Sequence, residues 1–193
     1  MARPRQFDVE RAVDAALEAF LAAGYEATST QDLCQATGLA RSSIYSAFNS
    51  KRDLYERALA RFMERKNAET FALLESELPV HRKIRTLFQR IIDEEYPPRE
   101  EGRGCLVVKS AIEVAARDRE IAGTLARDYG ERLSALRAAI DAGKRDGDIA
   151  ADKDSRALAH LVIATISGLR VSARCGAGRA ALESVADTAL AAF

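Results

Sequence analysis

Between positions 41 and 51 the chain reads Arg41-Ser42-Ser43-Ile44-Tyr45-Ser46-Ala47-Phe48, followed by Asn49-Ser50-Lys51. Ile44 and Phe48 stand four apart, so on a helix they share an inward face and leave Arg41, Ser42, Ser43 and Tyr45 outside. Small hydroxyl side chains permit close approach, and Arg reaches guanine acceptors or phosphate oxygens; such a face suits a DNA major groove. Lys51 adds a point charge beside the amides that open the next helix, a place for a phosphate. A second reactive group is Cys105, in Gly102-Arg103-Gly104-Cys105-Leu106-Val107-Val108-Lys109. A thiol in the first turn of a helix, with Arg103 and Lys109 close in sequence, is drawn toward the nucleophilic thiolate. Cys105 also reads as a small packing residue at the neck of a helix, and both readings stand at this point.

These groups need helices to position them. Val9, Val13, Ala16, Leu17 and Phe20 lie on one helical face that Gly24 ends. Ser29 with Asp32 forms a capping box for a second helix, which stops near Gly38. A third, short helix runs from about Arg41 to Phe48, and Ser50 with Asp53 repeats the cap for a long fourth helix carrying Leu54, Ala58, Leu59 and Phe62. Two short helices joined at Thr37-Gly38-Leu39-Ala40 have the layout of a helix-turn-helix.

Further along, Ile84, Leu87, Phe88, Ile91 and Ile92 predict a helix ended by Tyr96-Pro97-Pro98. Arg99 to Gly104 reads as a charged loop. Helices follow from Cys105 through Ala115 and from about Arg119 to Gly143, with Gly143 to Asp148 as a turn. Leu158, Leu161, Val162, Thr165, Ile166 and Leu169 form a seam on the next helix. Leu182, Val185, Ala186, Ala189, Leu190 and Phe193 form another on the last. Terminal helices apolar on more than one side call for a partner on each side. The expectation is an all-α chain of about nine helices with no strand.

Composition narrows the function classes. With 29 Lys+Arg against 29 Asp+Glu in 193 residues, bulk charge cannot attract nucleic acid, so affinity must come from local cations. Arg3 and Arg5 precede the first acid and would form a basic arm. Three scattered cysteines, Cys34, Cys105 and Cys175, fit thiols in a reducing compartment, and no signal or membrane-spanning run is present; a cytoplasmic location is expected. His81 reads as a surface residue at a helix start and His160 lies on a dimer-helix candidate. Neither has metal-site spacing, so no metal and no cofactor are expected. A cysteine enzyme built on Cys105 is a rival class, but neither His has a recognisable spacing to it and no oxyanion motif appears. A helical adaptor that binds only protein is another. Both leave the outward Arg41-Ser42-Ser43-Tyr45 face without a role.

Phe20, Gly24-Tyr25-Glu26-Ala27-Thr28-Ser29, Asp32-Leu33, Gly38-Leu39, Ile44-Tyr45, Phe48 and Ser50-Lys51-Arg52-Asp53-Leu54 stand at spacings that make residues 8–65 resemble the TetR-type transcriptional repressors. The resemblance implies a DNA-reading domain over about 1–50, with the start of the fourth helix, to about 65, as connector. A signal-sensing and dimerising domain would occupy 51–193. It implies a homodimer on double-stranded operator DNA, pairing through the two terminal seams. Contacts to DNA would come from Ser29, Arg41, Ser42, Ser43, Tyr45 and Lys51. The inducer would be a small molecule, or an electrophile or oxidant acting on Cys105, since the run around Cys105 resembles the family branch of the N-ethylmaleimide reductase repressor type. Two positions depart from the pattern: Ala40 replaces a hydroxyl cap, and Ala47 replaces a larger polar or aromatic residue.

Overall fold

The structure, a computed structural model, describes residues 4–96 and 104–193, with side chains from residue 9 onward. The described residues form nine helices and no strand: α1 (Pro4–Ala27), α2 (Thr30–Thr37), α3 (Arg41–Ala47), α4 (Lys51–Glu75), α5 (Val80–Glu95), α6 (Leu106–Glu113), α7 (Arg119–Asp146), α8 (Ser155–Arg174) and α9 (Arg179–Leu190). No helix among them is long and apolar enough to cross a membrane. Arg3, Arg103 and the Pro97-Pro98 break lie outside the described residues, as does the Arg5 side chain.

Two compact units result. The first comprises residues up to Lys66 together with Cys105–Ala126, and the second the described residues of Asn67–Gly104 and Arg127–Phe193. This partition differs from the one expected near residue 50. Leu106, Val114 and Ile121 are buried in one cluster with Phe20, Leu33, Ile44, Phe48 and Tyr55, so α6 and the start of α7 complete the N-terminal core. Each such side chain, once fully buried, contributes roughly 1.5–3 kcal/mol by leaving water. The second unit packs Ile84, Phe88, Ile140, Val162 and Leu182 around its own core.

Local signals explain the first unit's helices. Leu17 and Phe20 point inward from α1, and Gly24 breaks the helix at φ 85. Ser29 and Asp32 make the capping box at α2, and Gly38 closes that helix in the left-handed conformation at φ 69. Ala40 precedes α3 with no side-chain cap. At α4 the Asp53 amide donates to Ser50 Oγ at 3.0 Å, while the Asn49 amide donates to Asp53 Oδ2 at 3.2 Å.

Two helix boundaries depart from expectation. Cys105 is the N-cap of α6, at φ −117, and lies outside its first turn. Gly143 lies inside α7, which continues to Asp146. A Cβ at Gly143 would lie 2.5 Å from Val80 Cγ1, so its smallness permits helix contact where the sequence alone suggests a turn.

Candidate nucleic-acid interface

The recognition-helix candidate is α3. Ile44 is buried within it and Phe48 is buried at its C-cap, so Arg41, Ser42, Ser43 and Tyr45 are left exposed on the opposite side. The Tyr45 hydroxyl lies 3.3 Å from Thr30 Oγ1, and the Arg41 guanidinium stands 5.7 Å from the Tyr45 ring centroid. Hydrogen bonds from Thr30 and Arg41 draw the Tyr45 phenol below its ordinary range. The α2 start thus braces the outward face of α3. The sequence gives no sign of this role for Thr30, because the pairing depends on how two short helices cross.

Ser29 is exposed and acts as a cap: its amide donates to Asp32 Oδ2 at 2.8 Å, and its hydroxyl accepts from the Asp32 amide at 3.1 Å. Hydrogen bonding from the Ser29 side chain, and then from its backbone amide, holds the Asp32 carboxyl below its ordinary range. Lys51 is half-buried, with its ammonium 4.4 Å from the Tyr25 ring centroid. Tyr25 in turn packs against Tyr55, with centroids 4.7 Å apart, and this aromatic support is a second feature invisible to spacing arguments.

Charge is distributed unevenly over these residues. Arg52 bonds to Asp118 at 2.6 Å and Glu120 at 2.9 Å, and Arg57 pairs with Asp53 at 3.1 Å. Arg61 contacts Glu10 and Asp14. Arg41 and Lys51 have no carboxylate at ion-pair distance among the described residues, so both charges are open to an external anion.

Helix α6 grips α1 within the same unit. The Glu113 carboxylate accepts the Tyr25 amide at 2.8 Å, and Lys109 Nζ donates to the Leu21 and Ala22 carbonyls at 2.8 and 3.0 Å. These two side chains satisfy opposite backbone groups on either side of the Gly24 break. Ser110 is fully buried and donates to the Leu106 carbonyl at 2.7 Å, so the Tyr55 hydroxyl, also 2.7 Å away, is its donor. Cys105 is half-buried against the first core. Arg103, invoked to activate it, lies outside the described residues, and Lys109 is held by α1 carbonyls.

The residues expected to pair two copies divide into two sets. Leu158, Val162, Leu169, Leu182, Ala186 and Leu190 are buried in the chain's own second core. Leu161, Thr165, Ile166 and Ala189 are half-buried, and Val185 is 50% exposed. Ala157, Leu161, Ala164, Gly168 and Val171 make the outward row of α8, none of them buried. His81 is half-buried rather than a surface residue, with its ring edge-on to Phe193 at 6.1 Å. His160 Nδ1 lies 2.6 Å from the Tyr129 hydroxyl. No group of three His, Cys, Asp or Glu among the described residues could hold a metal ion.

Known proteins share this architecture. Residues 12–58 match the model of "Bacterial regulatory proteins, tetR family", and residues 80–189 match a "Tetracyclin repressor-like, C-terminal domain". The chain is 33% identical over 194 residues to the uncharacterized HTH-type transcriptional regulator YezE of Bacillus subtilis, covering 98% of each. It is 30% identical over 189 residues to the HTH-type transcriptional repressor ComR of Escherichia coli, covering 97% of this chain and 90% of that one. Among solved structures, a cysteine mutant of the TetR family regulator CifR complexed with 26-base-pair operator DNA superposes with TM-score 0.85. Identity there is 30%, with 100% of both chains covered.

Proposed function

Because the chain belongs to the tetR family of bacterial regulatory proteins, we propose that it is a homodimeric repressor acting in the cytoplasm on a pseudo-palindromic operator. Its matched relatives are transcriptional regulators, which removes the cysteine-enzyme reading. The observation that carries the proposal is the exposed Arg41-Ser42-Ser43-Tyr45 face, braced by Thr30. Ser42 and Ser43 let α3 approach base edges, and Arg41 reaches a guanine or a phosphate. Tyr45, Lys51 and Ser29 hold the flanking phosphates. In a dimer two such faces enter successive major grooves about 34–36 Å apart.

The outward row of α8 with Val185 of α9 is the surface that pairs the two copies. Small residues at Ala157, Ala164 and Gly168 let helices approach closely, while Leu161, Val171 and Val185 supply apolar area.

Induction is a shift between two arrangements of the dimer, only one of which holds both α3 helices at groove spacing. A signal coupled by about 1–3 kcal/mol changes occupancy severalfold or more. The signal is either a small molecule or an electrophile or oxidant at Cys105, the N-cap of the helix that grips α1. With a reversible ligand, Cys105 is a packing residue. DNA-release assays on Cys105→Ser after quinone or hypochlorite treatment separate the two: release unchanged by the substitution removes the cysteine role. The DNA-binding reading is tested by selecting genomic fragments on the protein and measuring their binding at several salt concentrations. Binding with no sequence preference would overturn it.

A further inference from the structure

The end of α7 and the start of α8 border a recess of about 400 Å³ in the second unit. Ser155, the first residue of α8, lines it and is only 7% exposed. Its hydroxyl is buried and meets no hydrogen-bond partner among the described residues. Burying a hydroxyl costs the free energy of stripping its water, and nothing within the chain offsets that cost here. The orphaned group beside an open recess points to an acceptor from outside the chain.

The charges around Ser155 favour an anion. Four cations, Arg137, Lys144, Lys153 and Arg156, line the recess against two carboxylates, which leaves two positive charges in excess. Both carboxylates are committed within the chain. Asp154 caps α8, its Oδ1 accepting the Arg156 and Ala157 amides at 2.8 and 3.1 Å, and Asp141 lies 3.6 Å from Arg137. Lys144 Nζ donates to the Lys153 carbonyl at 2.7 Å, and Lys153 Nζ to the Ala192 carbonyl at 2.9 Å. Each of these half-buried ammonium groups is therefore anchored by one hydrogen and keeps others to donate. Arg156 is exposed and has no carboxylate at ion-pair distance among the described residues. The N-terminus of α8, a 20-residue helix, adds partial positive charge at the same place.

We propose that this recess binds a phosphate dianion, free or as the end of a phosphomonoester, with Ser155 Oγ donating to one oxygen and Lys144, Lys153 and Arg156 balancing its charge. Two excess positive charges match two negative ones, and a tetrahedral oxyanion supplies several acceptors to donors that converge from α7, the loop after it and α8. A phosphodiester brings one charge and two fewer free oxygens, so it gains less. The site goes beyond the DNA reading and does not depend on it.

The test is calorimetric titration of the full chain, without DNA, at about pH 8, where phosphate is doubly charged. Inorganic phosphate and methyl phosphate are the probes, and dimethyl phosphate is the singly charged control. The expected result is one phosphate per chain with half-saturation at about 1 mM or below, weakening as salt rises, and dimethyl phosphate at least about tenfold weaker. Tighter binding of methyl phosphate than of inorganic phosphate assigns the site to a monoester, and the reverse order to the free ion. Ser155→Ala should weaken phosphate by about tenfold or more, and Arg156→Gln by about threefold. In phosphate-free buffer Ser155→Ala should keep its urea midpoint, because the hydroxyl it removes bonds to nothing in the chain. No saturable binding, equal binding of dimethyl phosphate, or unchanged affinity in Ser155→Ala would overturn the proposal. So would a lower urea midpoint of that variant without phosphate, which would give the hydroxyl a partner inside the protein. Loss of phosphate binding with operator binding intact separates failure at this site from failure of the repressor reading.

Discussion

The Glu113 carboxylate occupies the space that a side chain on Gly24 would need. A Cβ there would lie 2.6 Å from Glu113 Oε2 and 2.8 Å from Cδ, at a φ of +85. From this position the carboxylate accepts the Tyr25 amide at 2.8 Å, with the Glu26 amide at 3.4 Å. Glycine is thus required twice, for the left-handed backbone and for the close approach of Glu113 from a helix distant in sequence.

Gly24→Ala therefore combines backbone strain with displacement of Glu113, and should destabilise the chain by about 2–4 kcal/mol in urea unfolding. Glu113→Gln keeps one acceptor oxygen and fills similar space, so its loss should be smaller, about 1–2 kcal/mol. A Gly24→Ala protein as stable as the unsubstituted one would show that α6 does not hold α1 in solution.

DNA contacts should separate by salt dependence. Lys51→Ala should reduce the slope of log affinity against log salt by about 0.9, the value of one lost phosphate contact, with a similar effect on every sequence. Arg41→Ala should cost about 1–3 kcal/mol on the selected operator and relax base preference at one position of each half-site. Anisotropy titrations on operator and scrambled DNA distinguish the two patterns.

Pairing should depend on Val185 more than on the buried members of the terminal seams. Val185→Glu places a charge on a half-exposed α9 position outside the subunit core and should weaken dimerisation by about 2 kcal/mol or more, read by sedimentation at micromolar concentration. Leu182→Ala removes core volume instead and should lower stability by about 2–4 kcal/mol before it alters assembly. A Val185→Glu protein that remains dimeric at all concentrations would move the interface elsewhere.

Tyr55 and Asp118 each tie the stability of the first unit to pH. Burial lifts the Tyr55 phenol from 10.0 to about 12. A raised value in the folded state means stability that is present below pH 10 and is lost between about pH 10 and 12. The Arg52 guanidinium beside Asp118 holds that carboxyl at about 2, down from 3.8, so its contribution is present above pH 3.8 and is lost as pH falls toward 2. Tyr55→Phe should flatten the alkaline limb of a stability profile and leave Ser110 without its donor, at a cost of about 1 kcal/mol. Asp118→Asn should flatten the acid limb. An unchanged profile in either variant would count against the corresponding contact.

The helix-turn-helix was legible in the sequence because its determinants are local. Ser29 and Asp32 are three apart, Ser50 and Asp53 repeat that spacing, Gly38 follows the last turn of α2, and Ile44 and Phe48 are one turn apart. Bonds that close within four residues leave a readable pattern. The outward Arg41-Ser42-Ser43-Tyr45 face followed from the same spacing. Tertiary structure alone decided the rest. Helix α6 belongs to the N-terminal core because Leu106 is buried in that cluster, Ser110 meets Tyr55 and Lys109 meets Leu21, the latter two pairs 55 and 88 positions apart with no periodicity to betray them. Gly143 looks like a turn until Val80 is seen against it. Half of the terminal seams proved to be subunit core because apolar spacing records that a face is buried, while only packing records what buries it.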